Sequence, residues 1–257
     1  MSEYMRVVIP HDPYCYPNTN VLINKFNITN LPNLAQAEAM FSAIALRVLY
    51  DSPLEGKYDF EHLCEFHKFA FQDLYTWAGT PRVIDLMKRE EILNNQSVDY
   101  THAPDIPNLA NAVLNEMRNR EWGKMSLDEQ ATHLSSDMAK LWKVHPFREG
   151  NTRTTIAFVC QFAESKGMYI DRNIFAKNAD ITRATLVIAC GKGEIYDIEA
   201  LRSLVKLALA DGLEKNKNQN QKRDMNDWKS ILSKMRDDNT SNKGASNTKM
   251  KKPREER

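Results

Sequence analysis

The chain has 257 residues, 42% of them apolar, which is enough for one large domain or a domain with a tail. Its 35 basic and 34 acidic side chains leave a net charge of +1, so no broad field would hold the whole molecule on DNA, RNA or an anionic membrane. We therefore do not expect nucleic-acid binding. No apolar stretch approaches the roughly 20 residues that span a bilayer, and the N-terminus lacks the pattern of a cleaved signal, so we expect a cytoplasmic protein without a membrane span.

Most of the chain up to about residue 209 has the apolar periodicity of α-helices. Apolar residues recur at intervals of three to four in the first two predicted helices. Ser126 and Glu129 have the spacing of a capping box, and Pro107 precedes a further periodic segment. The predicted helices cover residues 34–49, 60–77, 108–119, 127–143 and 152–165. The fold class expected from them is all-α.

The helical period breaks between Gly79 and Tyr100. Within this stretch, residues 82–88 alternate in polarity after a Thr-Pro pair. Such alternation favours a short strand or one arm of a β-hairpin on the otherwise helical body.

The most informative segment, VHPFREGNTRT, joins two predicted helices. Pro146 disfavours helical geometry at His145, so the preceding helix is expected to end there. Gly150 stands just before the next helix, where backbone N–H groups and the helix dipole favour an anion. Arg153 adds a guanidinium for phosphate oxygens, and Glu149 is an oxygen ligand of the kind that Mg²⁺ prefers. Since an imidazole can accept a proton near neutral pH, this segment combines a base, a metal ligand and an anion site.

The same segment resembles the core motif of the Fic domain family, HPFx(D/E)GNGRxxR, from His145 to Asn151 and again at Arg153. The resemblance extends over about residues 14–209, because residues 14–28 are similar to the opening segment of many Fic domains and 82–88 to their flap. It implies an all-α, Fic-type helical bundle with a small β-hairpin flap. It also implies transfer of AMP from Mg-ATP to a Ser, Thr or Tyr hydroxyl of a target protein.

Residue roles follow from the resemblance position by position. His145 is expected to be the catalytic base and Glu149 the magnesium ligand. The nucleotide-binding residues are expected to be Gly150, Asn151, Thr152 and Arg153. The flap that would hold the target segment by strand addition consists of Val83, Ile84, Asp85, Leu86, Met87 and Lys88.

The chain departs from the motif at two positions: Thr152 stands where the family has its second Gly, and Ile156 where it has its last Arg. Three interpretations of the function remain open: AMP transfer, transfer of phosphate or another nucleotide monophosphate, and a catalytically weak nucleotide-binding adaptor. In the family the last Arg also receives an inhibitory glutamate, and the chain has no convincing inhibitory motif. A small antitoxin or other inhibitory protein is therefore a candidate partner, and secretion into a host cell as an effector, without a cleaved signal peptide, is the alternative setting.

Residues 214–257 differ in composition from the rest of the chain. They contain 13 basic and 7 acidic side chains, a net charge of +6 against about −5 for residues 1–213, and few large apolar residues. Such a composition predicts a basic, mostly disordered tail after the Fic domain of residues 1–213. A short helix is expected at 226–235, where Trp228, Ile231, Leu232 and Met235 share one face.

The four cysteines, Cys15, Cys64, Cys160 and Cys190, are scattered and form no CxxC pair. This spacing predicts reduced thiols and argues against a disulfide framework or a zinc site. Two histidines on the second predicted helix, His62 and His67, are five residues apart and are expected to be packing or surface residues.

Overall fold

The computed structural model describes residues 12–245, which form eight α-helices and several short 3₁₀ turns. The helices are α1 (Leu31–Asp51), α2 (Phe60–Phe71), α3 (Ile106–Asn119), α4 (Leu127–Val144), α5 (Asn151–Ser165), α6 (Arg172–Lys177), α7 (Ala179–Ala189) and α8 (Glu199–Ala245). The all-α prediction is confirmed.

The local signals that start and stop helices act where the sequence predicts them. Ser126 and Glu129 form the capping box of α4, with each side chain bonded to the other residue's backbone N–H. Gly167, with φ +80°, follows the end of α5. The second helix is shorter than predicted, because it ends at Phe71 instead of Trp77. The chain then forms turns as far as Gly79, whose φ of +82° is incompatible with a right-handed helix.

The core surrounds α5, a helix buried on most of its circumference. α5 packs on α2 and α4, while α1 packs on α2 and α3 on α4. Phe158, Val159 and Phe162 of α5 are fully buried beside Trp142 of α4. Because large apolar side chains hold both helices in place, the loop that joins α4 to α5 starts and ends on the buried core.

The expected β-hairpin does not form strands. In the described part of the chain, β-type backbone pairing is limited to isolated bridges, which join Glu90 to Gln96 and Cys15 to Leu22. Residues 82–88, called the flap loop below, follow an irregular path instead. The alternating pattern is satisfied without a sheet, because Arg82 is buried while Val83 and Met87 are exposed.

Residues 214–257 were expected to be mostly disordered, but α8 continues as far as Ala245. The sequence contains neither Gly nor Pro between Gly212 and Gly244, and Lys, Gln, Glu and Arg are good helix formers, so nothing local interrupts the helix. The described residues fall into two compact units, one ending at Gly212 and one beginning at Leu213. The side chains of Trp228, Ile231, Leu232 and Met235, and all of residues 246–257, lie outside the described part.

The cysteines are thiols, with no disulfide among them. Burial raises the pKa of Cys64, Cys160 and Cys190 to about 12, which keeps these thiols protonated and unreactive. No helix within residues 12–245 is long and apolar enough to cross a bilayer.

Candidate active site

The loop of residues 145–150, called the motif loop below, is held by unusual backbone angles at both ends. α4 ends at Val144, and His145 adopts the left-handed region with φ +48°. Gly150 has φ +79° and is the N-cap of α5. The predicted helix end at His145 is therefore confirmed. A non-glycine residue in the left-handed region costs free energy, which the surrounding contacts must offset.

Gly150 is required by space as well as by its backbone angle. A Cβ atom at this position would lie 2.4 Å from the ring of Phe71 on α2. Glycine therefore allows the backbone to lie directly on an aromatic ring at the start of α5.

The hydrogen bonds of His145 define its tautomer. Nδ1 lies 3.2 Å from the carbonyl oxygen of Trp142, which can only accept, so Nδ1 carries the proton. Nε2 lies 3.3 Å from the ammonium of Lys88, which can only donate. The lone pair on Nε2 consequently points toward Lys88 of the flap loop, and Nε2 is the atom that can accept a proton.

The imidazole of His145 is buried and uncharged. Burial, followed by the positive charge of Lys88, lowers its pKa well below the ordinary value. The rings of Tyr100 and Trp142 cover it at centroid distances of 4.0 and 5.2 Å. Nε2 is thus unprotonated at neutral pH, as a general base must be before it acts.

Arg82 fixes the backbone of the motif loop from the side of the flap. It is fully buried, and its Nε donates to the carbonyl oxygen of His145 at 2.8 Å. Its backbone N–H donates to the carbonyl oxygen of Pro146, also at 2.8 Å, and its two terminal nitrogens donate to the carbonyls of Ile84 and Thr101. One buried guanidinium therefore connects the flap loop to the backbone of His145.

The N-terminus of α5 is open to an anion. Gly150 offers no side-chain oxygen, and no side-chain capping bond forms at this end of the helix. The N–H groups of the first turn therefore retain their donor capacity, and the helix dipole adds positive potential. This geometry is the common phosphate site of proteins.

Asn151 stabilises the motif loop instead of pointing at a ligand. Its Oδ1 accepts from the Phe147 N–H at 2.9 Å, and its Nδ2 donates to the Phe147 carbonyl at 2.7 Å. The side chain is buried and both of its polar groups are used by this loop. Only its backbone N–H is thus placed to contribute to a phosphate site.

The two departures from the motif have separate structural explanations. Thr152 Oγ1 accepts from the indole N–H of Trp142 at 2.9 Å, so its side chain ties α5 to α4. Ile156 is half-buried and packs against the main core, and it does not line the cavity described below. The apolar residue at 156 therefore belongs to the core.

Arg153 is held by α1. Its terminal nitrogens donate to Ser42 Oγ at 2.7 Å and to the carboxylate of Glu38, and its guanidinium lies 4.8 Å from the centroid of Phe71. Glu38 also accepts from the hydroxyl of Tyr75. The guanidinium is thus oriented by an acidic partner while it lines the cavity.

Glu149 lines the same cavity, with its Oε1 accepting from the Gly150 N–H at 3.1 Å. Among the described residues there is no cluster of three or more His, Cys, Asp or Glu side chains that could hold a metal ion without help. One carboxylate next to a phosphate site does suit Mg²⁺, which often takes one or two protein carboxylates and completes its shell with water and phosphate oxygens.

The flap loop contributes one of its predicted residues to the cavity. Val83 and Met87 are exposed, Ile84 packs on the smaller apolar cluster beside α1 and α2, and Leu86 is half-buried. The Asp85 carboxylate accepts from the Ala103 N–H and lies 2.8 Å from Nδ1 of His102. Lys88 alone of the six lines the cavity.

The predicted site residues of the motif meet in a cavity of about 240 Å³. Four residues that line the cavity were not predicted from the sequence: Arg89, Glu90, Trp142 and Arg183. The full lining is Lys88, Arg89, Glu90, Trp142, His145, Glu149, Gly150, Asn151, Thr152, Arg153 and Arg183. Arg183 of α7 pairs with the buried Glu90 at 2.7 and 2.9 Å.

The sequence interpretation of His67 is incomplete. His67 is fully buried under the motif loop and bonds to it, as described below. Its burial could have been predicted, because it follows Leu63 by four residues and precedes Phe71 by four, on the apolar face of α2.

Comparison with known proteins places this site in a family. The model of the Fic/DOC family matches residues 57–163, which include α2, the flap loop and the whole motif loop. A probable protein adenylyltransferase, y4lH of Sinorhizobium fredii, is 32% identical over 165 residues, which are 63% of this chain and 80% of that protein. The chain belongs to the Fic/DOC family.

Other members resemble this Fic chain over a similar length. The protein adenylyltransferase VbhT of Bartonella schoenbuchensis is 29% identical over 200 residues, or 77% of this chain, but the match spans only 40% of VbhT. BepC, a VirB-translocated effector of Bartonella tribocorum whose crystal structure contains AMPPNP, superimposes with a TM-score of 0.64 and 18% identity. That match covers 76% of this chain and 95% of the other, and it establishes the Fic fold.

Proposed function

We propose that this Fic chain is a protein adenylyltransferase that transfers AMP from Mg-ATP to a Ser, Thr or Tyr hydroxyl of another protein. One observation carries the proposal: an unprotonated histidine nitrogen, a carboxylate and an open helix N-terminus line the same cavity. VbhT is named a protein adenylyltransferase and y4lH a probable one, which supports AMP as the transferred group.

In this proposal His145 is the catalytic base. Its Nε2 takes the proton as the target hydroxyl oxygen bonds to the α-phosphorus of ATP. The bond from that phosphorus to the oxygen that bridges to the β-phosphate breaks, and pyrophosphate leaves. Lys88, 3.3 Å from Nε2, would have to shift away to admit the hydroxyl.

The other motif residues position the phosphates. The N–H groups at Asn151 and Thr152 would bind the α-phosphate oxygens, and that of Gly150 would join them once its present acceptor, Glu149 Oε1, turns to the metal. Arg153 would pair with the outer phosphates. Glu149 would hold Mg²⁺, which neutralises phosphate charge when bound. Since phosphoryl-type transfer depends mostly on positioning and charge, these few groups suffice.

A second candidate is a different donor. Ile156 packs on the core, so the guanidinium that other family members place at this motif position is missing. The transferred group would then be phosphate or another nucleotide monophosphate, from a donor whose binding does not depend on an arginine at this position. A catalytically weak adaptor is the third interpretation and would bind nucleotide without transfer.

The proposed setting is a toxin or a secreted effector. We propose that residues 1–213 form the catalytic domain and 214–257 a basic tail, and that a small antitoxin-like protein is the partner that restrains it. The flap loop is proposed to hold the target segment through backbone contacts, in which case the sequence of the target matters little.

Labelled donors test the proposal. The purified chain is incubated with bacterial and host-cell lysates and with each nucleotide triphosphate labelled at the α- or the γ-phosphate. Adenylyl transfer predicts protein bands from α-labelled ATP that appear only when the chain is added, and no such added bands from γ-labelled ATP. Labelling from the γ-phosphate would support phosphate transfer, a different α-labelled nucleotide would replace ATP as donor, and nucleotide binding without any labelling would support the adaptor.

A further inference from the structure

His67 of α2 lies beneath the motif loop and is enclosed by aromatic rings. Its side chain is fully buried, and its ring stacks on Phe147 with centroids 3.8 Å apart and planes 13° from parallel. Phe71 stacks on the same imidazole at 4.7 Å. Phe71 is also the ring on which Gly150 lies, so the stack supports both ends of the motif loop.

The two ring nitrogens of His67 bond to the backbone of two different functional segments. The Gly79 N–H, at the root of the flap, donates to Nδ1 at 2.8 Å. Nε2 lies 3.0 Å from the carbonyl oxygen of Glu149. A backbone N–H can only donate and a carbonyl can only accept, so the ring is the neutral tautomer with its proton on Nε2.

The surroundings of the ring agree with the neutral tautomer that the two bonds define. Burial lowers the pKa of His67, and the positive charge of Arg153 acts in the same direction, whereas Glu149 acts in the opposite one. Protonation at Nδ1 would also break the bond from Gly79.

We propose that His67 is a positioning residue that sets the place of Glu149 and connects it to the root of the flap. The bond from Nε2 holds the backbone carbonyl of Glu149, whose carboxylate lines the cavity. The bond to Nδ1 holds Gly79, three residues before Arg82, which bonds to the motif loop. This inference rests on the proposed function, because it assigns the metal to Glu149 and the target to the flap.

Three substitutions separate the two bonds. His67→Phe keeps the aromatic stack and removes both. An asparagine amide reaches the position of Nδ1, so His67→Asn can still accept from Gly79. A glutamine amide reaches the position of Nε2, so His67→Gln can still donate to Glu149.

His62 provides a matched control on the same helix. It is buried, its Nδ1 accepts from the Tyr58 N–H at 3.1 Å, and its Nε2 lies 3.1 Å from the Leu54 carbonyl. It thus has the same pattern of bonds, but to residues that do not line the cavity. His62→Phe should lower stability and leave nucleotide binding unchanged.

The readouts are Mg²⁺-dependent binding of AMPPNP by calorimetry, transfer kinetics, and melting temperature. Loss of a group that orients a metal ligand typically weakens metal affinity about 10-fold to 100-fold. We expect that weakening in His67→Phe and His67→Asn, and much less in His67→Gln, which should instead raise the KM for the target. In the parent, NMR of the His67 ring nitrogens at neutral pH should show a proton on Nε2 alone.

Two results would overturn the inference. One is a folded His67→Phe whose Mg²⁺ dependence and target KM equal those of the parent, or match His62→Phe. The other is a His67 ring that carries its proton on Nδ1 at neutral pH, because the bonds to Gly79 and Glu149 exclude that tautomer. If His67→Phe does not fold, the other two variants decide: the inference requires weaker Mg²⁺-dependent binding in His67→Asn and a raised target KM in His67→Gln, and equal behaviour of the two would overturn it. Glu149→Gln separates this inference from the proposed function: if it binds Mg²⁺ as the parent does, the metal assignment fails while the tautomer result still stands.

Discussion

At the scale of single residues, His145 combines burial with reactivity. Burial and Lys88 both favour the neutral imidazole, which preserves the lone pair on Nε2 but weakens it as a base. In the proposed mechanism Lys88 would affect catalysis in two ways, by lowering the pKa of His145 and by occupying the place of the attacking hydroxyl. The sequence predicted Lys88 as part of a substrate-holding flap. It could not predict that Lys88 lies beside His145, because that position depends on the path of the flap loop.

Lys88→Gln tests this electrostatic effect. Removing the positive charge removes one cause of the lowered pKa, so the pKa of His145 should rise toward its ordinary value. As the pH falls, His145 of the variant would become protonated, and therefore inactive as a base, at a higher pH than His145 of the parent. The acidic limb of the kcat/KM profile should consequently move to higher pH. The measurement is the pH profile of transfer, with the exposed Lys124→Gln as control. An acidic limb that stays in place, or moves to lower pH, would contradict the contact between Lys88 and His145.

Ile156→Arg tests whether the missing motif arginine was lost from the cavity or replaced by a core residue. Because Ile156 packs on the core, the substitution should lower the free energy of unfolding by about 1–3 kcal/mol, the usual cost of a poorly compensated polar group. ATP affinity should not rise. Calorimetry and urea unfolding measure both quantities, with Ile156→Met as the control for volume. Tighter ATP binding in a stable Ile156→Arg protein would show that position 156 faces the phosphates.

At the scale of elements, the ends of helices were the most predictable features. Pro146 marked the end of α4, the Ser126 capping box marked its start, and Gly150 marked the start of α5. Each of these signals is local, so a few neighbouring residues determine it. The flap depended on non-local contacts: the alternating pattern indicated a strand, but bonds from Arg82 to distant carbonyls hold the segment as a loop.

Gly150→Ala tests the fit between the motif loop and α2. The substitution adds backbone strain at φ +79° and a contact of 2.4 Å with Phe71, so it should cost more than strain alone. Gly167→Ala is a matched control, since Gly167 has φ +80° and open space around its Cβ position. We expect Gly150→Ala to be less stable than Gly167→Ala by about 1–3 kcal/mol and to lose most transfer activity. Equal stability of the two variants would mean that Phe71 does not support the loop.

At the scale of the whole molecule, charge is divided unevenly along the chain. Residues 214–257 carry a net charge of +6, and the rest carries about −5. Among the residues whose burial the structure describes, the last member of the main apolar core is Leu209. The composition of the tail did not predict that the helix would continue to Ala245, because composition indicates how much apolar surface a segment can bury and not its backbone propensity.

Deletion of residues 214–257 should leave the unfolding midpoint of the remaining domain within about 2 °C of that of the full chain, since it removes none of the core residues that the structure describes. If the tail attracts targets through its charge, the deletion should lower transfer to lysate proteins at low salt and have no effect at high salt. Melting curves and transfer at several salt concentrations measure the two effects. A large loss of stability would mean that the tail is part of the domain.

The central claim is that His145 accepts the proton of the target hydroxyl at a nucleotide site built by the motif loop. The most direct test compares the parent with His145→Ala, using mass spectrometry of lysate proteins to detect added AMP and calorimetry to measure ATP affinity. Removing the base should reduce adenylyl transfer by at least 100-fold and leave ATP affinity and melting temperature nearly unchanged, because general base catalysis typically contributes about 10²–10⁴ in rate. Equal transfer by the parent and His145→Ala would mean that His145 is not the base that accepts the proton of the target hydroxyl.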